Sequence, residues 1–504
     1  MNHIHKILSK TVVLSVLCSV LILVTLTACS STSAATDVVT TDQPTQTTEP
    51  ASNENIDLMG TFTTDKSRGP AGAEISATGT GFEPSTNVEL LWQKFDSSWK
   101  VEGGEYFGRE VTWDFIPIAN TQTDSQGNFQ AAFTVPSPSY GYNHDLLVVQ
   151  NGVTKNKLGF HVDLQVSISP SSGPVGTPIT IEIEGLGWAD MENNRMVQYD
   201  NSFVGFMSAV STHGHAKAVI TATGTPGKHF IKVLRGVFTF PYMNPEESPF
   251  VSDPHNIPEV FEFTMTDGPP VLPGSPDEQR VQTINGTRPA VTGEPQIWTD
   301  PVLAPVGTPM TISGVGFEAG QQIELTWTGK SGNRVSGGGW EEVTYPFETV
   351  SASDEGTFAF NLSFPDHHGG IHNVQAVAGD TQLAETAFEI TPSIIGIEPS
   401  SGPVGTIMHL HLKGVGWTAT ANNFYMVYDN TLVGYNCGFN SFGDVNVYMH
   451  AAGEPGWHFI NLYPGIYKGV EEGRLDVFRL PQLTYEDHPG EKINMLSFAF
   501  YIPE

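Results

Sequence analysis

SSGPVGTPITIEIEGLGW, from Ser171 to Trp188, is written a second time as SSGPVGTIMHLHLKGVGW, from Ser400 to Trp417. Ile179, Ile181 and Ile183 alternate with Thr180, Glu182 and Glu184; in register, Met408, Leu410 and Leu412 alternate with His409, His411 and Lys413. A period of two is that of a strand with one buried and one wet face. The Gly-x-Gly-aromatic ending fits a tight turn or bulge, after which the ring re-enters a core.

Two fainter copies complete a set of four, running Gly72–Phe82, Gly176–Trp188, Gly307–Phe317 and Gly405–Trp417, with spans of 10, 12, 10 and 12 residues. First and third share one spacing, second and fourth another, so the chain reads as a two-repeat unit, A then B, that was duplicated. Downstream landmarks keep the pairing. EVTWDF at Glu110–Phe115 returns as EVTYPF at Glu342–Phe347 in the A repeats, and YDN recurs at Tyr199–Asn201 and Tyr428–Asn430 in the B repeats. Thr123–Val135 and Ser353–Phe364 each read as a turn leading into an alternating strand. A histidine enters a further strand in every copy, at His144, His229, His372 and His458. Short strands at this density predict an all-β protein of tandem immunoglobulin-like β-sandwiches, four repeats in a duplicated A-B pair. The expected bounds are 58–164 (A1), 165–266 (B1), 296–391 (A2) and 392–504 (B2), with a Pro/Gly-rich, semi-rigid linker over 267–295.

At 504 residues the chain is too long for a single core, and only 15% of its residues are charged. Its formal net charge of −31 argues against nucleic acid and anionic lipid surfaces as partners. Lys6 and Lys10 precede the apolar run Thr11–Leu26, so residues 1–28 read as a signal peptide. Residues 29–57, rich in Ser, Thr and Pro, read as a disordered tether. Cys18 falls in the signal, which leaves Cys29 and Cys437 and no intramolecular disulfide if Cys29 is an anchor. Cys437 is expected to be a buried small hydrophobe.

Two resemblances can be named on these residues. LTAC, Leu26–Cys29, resembles the lipobox of bacterial lipoproteins, which implies cleavage before Cys29, a diacylglycerol on its thiol, and a place on the extracytoplasmic face of a cell membrane. PSSGPVGTPITIEIEGLGW and PVGTPMTISGVGF resemble the opening of IPT/TIG repeats, which implies an immunoglobulin-like binding or spacer module and supplies no catalytic residue. Four long segments depart from that pattern: Gln93–Asn120 and Thr328–Val350 in the A repeats, Gly236–Glu259 and Gly465–Asn494 in the B repeats.

Candidate chemistry is thin. DHHGGIH, Asp366–His372, offers imidazoles for a transition metal, with His367 and His368 as weak ligands, because His372 fills a position that is His in all four repeats. HLH, His409–His411, and HGH, His213–His215, read as exposed filler and as a turn. GVGF, Gly314–Phe317, lacks the third glycine and the helix of a dinucleotide fingerprint. Trp99, Tyr106, Trp113, Trp340 and Tyr345 lie in the A inserts, where aromatic rings on loops could stack on sugars or else pack between repeats. Asp253, or Glu486 with Asp487, could bring calcium to the B inserts, which could equally cover a sheet edge. No other cofactor is expected. The reading is of a non-enzymatic, lipid-anchored surface protein with a protein or glycan partner. A carbohydrate-processing lipoprotein and a purely structural stalk are the alternatives, the stalk to be recognised by aromatics that are buried.

Overall fold

The computed structural model describes residues 57–189, 192–236, 240–244, 246, 258–290, 293–333, 339–466, 479–490 and 492–504. The signal peptide, Cys29, the tether up to residue 56 and Asp253 lie outside the described residues.

Every repeat is a pair of facing sheets. In A1, Thr61–Thr64, Glu74–Thr80 and Phe129–Thr134 form one sheet, and Arg68–Gly69, Val153–Val162, Tyr142–Gln150, Asn87–Glu102 and Glu105–Gln122, in that order, form the other. A2 repeats this order with Gln296–Asp300, Pro309–Val315 and Phe358–Ser363 against Leu303–Pro305, Thr381–Thr391, Gly370–Ala378, Gln322–Asn333 and Gly339–Ser351. In B1, Gln165–Ser169, Pro178–Glu184 and Ala216–Thr221 face Ser172–Gly173, Glu259–Met265, Gly227–Leu234, Asn194–Tyr199 and Ser202–Ser208. B2 differs only at its edge, where the fifth strand is reduced to a single bridge between Ser401 and Tyr501. The duplicated pair of tandem sandwiches is therefore the fold. The alternation read from the opening stretch is the burial pattern: Ile179, Ile181, Ile183, Met408, Leu410 and Leu412 are all buried, and their neighbours are not.

The glycines of that stretch join one repeat to the next. Gly185 and Gly414 sit at φ of +74° and +71°, and a β-carbon there would lie 2.5 and 2.7 Å from the carbonyl oxygens of Asp163 and Thr391, the ends of the preceding A repeats. Only glycine allows both the left-handed turn and the close approach. A backbone bridge then ties each pair together: Gly141 N–H donates to Leu186 O at 3.0 Å, and Gly369 N–H to Val415 O at 3.1 Å.

The A inserts are ribbons rather than loops. Asn87–Glu102 and Glu105–Gln122 run antiparallel far beyond their sandwich, and 16 residues at ~3.3 Å each span roughly 50 Å. The ribbon tip reaches B2, where Ala419 N–H donates to Gly104 O at 2.8 Å and Tyr106 packs against Ala419 and Ile466.

The two pairs are not strung out as a stalk, because B1 and B2 share a core. Val427, Tyr463 and Leu483 of B2 belong to the hydrophobic cluster of B1. Asn430 donates to Thr221 O at 2.7 Å and Asn461 to Thr221 Oγ1 at 3.0 Å. Phe206 N–H donates to Pro481 O at 2.9 Å and Leu483 N–H to Phe206 O at 2.8 Å, so the B2 insert covers the open edge of strand Ser202–Ser208. The linker is tied down as well: the Gln279 side chain and the Ser497 backbone exchange two hydrogen bonds of 2.8 Å.

Candidate functional site

The five rings singled out from the sequence do not form an exposed platform. Trp99 is half-buried between B1 and B2 residues and donates its indole N–H to Asp487 O at 2.5 Å. Tyr106 is fully buried. Trp113 packs with Phe95, Tyr140 and Trp188 at the A1–B1 junction. Trp340 lies edge-on to Trp417 and His368, and Tyr345 stacks on Trp327 at 4.9 Å. The ribbon geometry explains this, since alternate residues of an extended strand share a face. Phe95, Ser97, Trp99 and Val101 all point inward, between Lys94, Asp96, Ser98 and Lys100.

His367 and His368 are buried at the A2–B2 junction without converging on an ion site. His367 is wedged among Trp327, Tyr345 and Phe442, while His368 Nε2 lies 3.0 Å from Phe439 O. Burial, and then the neighbouring His368 and His372, push the His367 imidazole down to about 3. His372 sets its ring nitrogens 2.8 Å from Thr328 O and His368 O, the neutral ring donating to one of them, as His144 sits between Gln93 O and Tyr140 O. His229 and His458 instead bind Asp200 and Asp429. The histidine common to all four repeats thus staples a strand end. Asp487 is likewise occupied by protein, accepting from Ser208, Val210 and Ser211 at 2.6–2.9 Å. Its burial pushes the carboxyl up and those hydrogen bonds pull it back. Cys437 is half-buried rather than buried.

Two features were not singled out from the sequence. Among the described residues, one group of three metal donors lies within 4.8 Å: Glu182, Glu184 and His215 on the outer face of B1. His215 Nε2 is 3.0 Å from Glu182 Oε1, and the corresponding pair in B2 is His411 with Asp444, the same contact with the two partners exchanged.

The second is a cleft of about 620 Å³ between A1 and B1, lined by Arg68, Arg195, Arg235, Tyr142, His161 and Asp163 among others. Three arginines in one cleft stand out in a chain with 23 basic and 54 acidic residues. At its floor the Tyr142 hydroxyl accepts from Arg195 Nη2 at 3.1 Å and from Arg235 Nη2. Both carboxylate oxygens of Glu192 are taken by Arg235 Nη1, at 3.0 and 2.8 Å. Arg195 meets only neutral acceptors: Tyr142, Glu192 O at 3.3 Å and Asn194 O at 2.7 Å. Burial pushes the Tyr142 phenol up, so the hydroxyl stays neutral. At the rim, Arg68 Nε donates to Asp163 at 2.6 Å.

The charged floor of this cleft is not duplicated. Counting from the shared landmarks His144/His372, Tyr199/Tyr428 and His229/His458, the second pair has Gly370 for Tyr142, Phe424 for Arg195, Pro464 for Arg235 and Ala421 for Glu192. Gly370 has φ of +100°, which suits glycine, whereas Tyr142 holds φ of +73°. A bulky residue in that region costs about 1–3 kcal/mol and persists only where its surroundings over-determine it. Two guanidiniums on one hydroxyl are such surroundings. The sequence signal for the site was the failure of duplication at these four positions.

The fold defines a tandem array of immunoglobulin-like sandwiches, and comparison with known proteins adds no closer kinship. No protein-family profile and no curated protein matches the chain. Among solved structures, a tetra-tandem repeat from the extending region of a large adhesion protein is 11% identical, with 88% of this chain and 99% of that one covered and a TM-score of 0.19. The D1–D4 ectodomain fragment of ICAM-5 is 8% identical, with 82% and 96% covered and a TM-score of 0.17. A Salmonella alpha-2-macroglobulin mutant is 10% identical with a TM-score of 0.19, and the match takes in 89% of this chain but only 31% of that protein's length. The sheet order described above, rather than these likenesses, carries the assignment of fold.

Proposed function

We propose that the chain is a non-enzymatic surface protein, held to the extracytoplasmic face of a membrane by a lipid on Cys29. Its four sandwiches, of IPT/TIG type, act as one block for adhesion or envelope assembly. The observation that supports this reading most is the use of the rings: residues that could have offered sugars a stacking face lock the repeats onto one another instead. A glycan-processing role draws no comparable support, and the burial of the rings, the mark set for the purely structural alternative, favours envelope assembly over ligand capture by these rings. The lipobox-like LTAC supports the anchor.

Detergent-phase partitioning of the full chain against Cys29→Ala, with protease added to intact cells, tests the reading. The expected result is a detergent-phase, protease-accessible protein that Cys29→Ala sends to the aqueous phase. A Cys29→Ala chain that stays with the membrane overturns the anchor, and a chain protected in intact cells overturns the surface location.

A further inference from the structure

The geometry points to a binding site for a small oxyanion, a carboxylate or phosphate group on a ligand otherwise close to neutral, in the cleft between A1 and B1. Nothing in this assignment depends on how the chain is anchored or displayed.

The argument starts from charge. Two guanidiniums meet at Tyr142, and the carboxylate that the described residues place there, Glu192, is gripped by Arg235. Arg195 is only 4% exposed and has no carboxylate partner among the described residues. A buried cation without a counter-charge is costly, and a guanidinium fork fits the planar, two-pronged geometry of a carboxylate or phosphate. Of its five N–H groups, three have protein acceptors, which leaves two for a ligand. The backbone strain at Tyr142 belongs to the same design, because the second pair uses glycine at that position and has neither arginine. The volume suits a small molecule, and a seam between two domains is where such sites concentrate. The rim narrows the choice. Asp163 and Glu259 line the same cleft, and the chain as a whole carries −31, so a polyanion is repelled while a ligand with one anionic group is admitted.

Titration calorimetry on residues 57–504 with inorganic phosphate, glucuronate and N-acetylglycine, at ionic strength fixed with chloride, tests the site. Phosphate, a sugar acid and a peptide-like terminal carboxylate are thereby told apart. The expected result is saturable one-to-one binding of at least one probe. Arg195→Met should weaken it roughly tenfold or more, and Tyr142→Gly, which writes the second pair's residue into the first, should weaken it likewise. Lys330→Met at the other junction should leave it unchanged. If Arg195→Met does not fold, Tyr142→Gly decides. No saturable binding of any probe, or equal affinity in the wild type and the folded cleft variants, overturns the assignment.

Discussion

Phe95 lies flat on Trp188 at the A1–B1 junction, with ring centres 4.1 Å apart and planes 13° from parallel. At the A2–B2 junction the corresponding position, three residues past Trp327, is Lys330, whose ammonium sits 5.0 Å from the Trp417 ring. Around these contacts the first pair places Ser139 and Tyr140 where the second places His367 and His368. The backbone bridge from Gly141 or Gly369 is the same in both. Duplication has kept the joint and changed the side chains that fill it, so each junction has its own chemistry on one frame.

The sharpest way to break the comparison is Glu192→Ala, which has no counterpart in the second pair because Ala421 already stands there. Removing the carboxylate that both Glu192 oxygens offer to the buried Arg235 should cost about 3–5 kcal/mol. Calorimetry of residues 57–504 should show unfolding moved to lower temperature, and a shift worth less than about 1 kcal/mol would mean that another group balances Arg235. The stacked ring comes next. Phe95→Ala should cost about 3 kcal/mol, through lost burial and the cavity left behind, whereas Lys330→Ala should cost below about 1 kcal/mol. Equal effects in denaturant titration would show that the two junctions are energetically alike after all.

The last prediction concerns acid. An unfolded imidazole takes up its proton near pH 6.5, but the His367 ring in the folded protein does so only at about 3. Burial moves His368 and His372 in the same direction. The unfolded chain therefore binds more protons as the pH falls through this window, and stability is lost progressively from about pH 6.5 towards 3. Amide protection factors in Gln322–Asn333 and Gly370–Ala378, corrected for the intrinsic pH dependence of exchange, should fall on acidification more than in the matching strands of A1. Writing the first pair's residues into the second, His367→Ser with His368→Tyr, should reduce the difference.

Much of the fold was legible because it rests on local periodicity. Ile179 to Ile183 announce a strand whatever surrounds them, and the spacing of Gly185, Gly187 and Trp188 repeats at Gly414, Gly416 and Trp417. The ribbons are equally periodic, with Phe95, Ser97, Trp99 and Val101 set between charged and polar neighbours, although the sequence reading places loops there. What a strand pattern cannot say is which surface the apolar face meets, and here Trp99 meets Asp487, 388 residues away. The cleft was hidden for a related reason. Tyr142, Arg195 and Arg235 are far apart in the chain, and nothing marks any of them until the duplicated positions are set side by side.

The borrowed edge of B1 affects how the chain is made. Strand Ser202–Ser208 is covered by residues 481–483, and Ser208 and Ser211 are held by Asp487, all of which leave the ribosome more than 200 residues after B1 is otherwise complete. At ~5–20 residues per second that is a delay of roughly 10–40 s. During it the nascent B1 presents a bare strand edge, the kind of surface that recruits other strands. Synthesis thus passes through an interval in which B1 depends on holding factors, or on staying dilute, until its own C-terminal segment arrives.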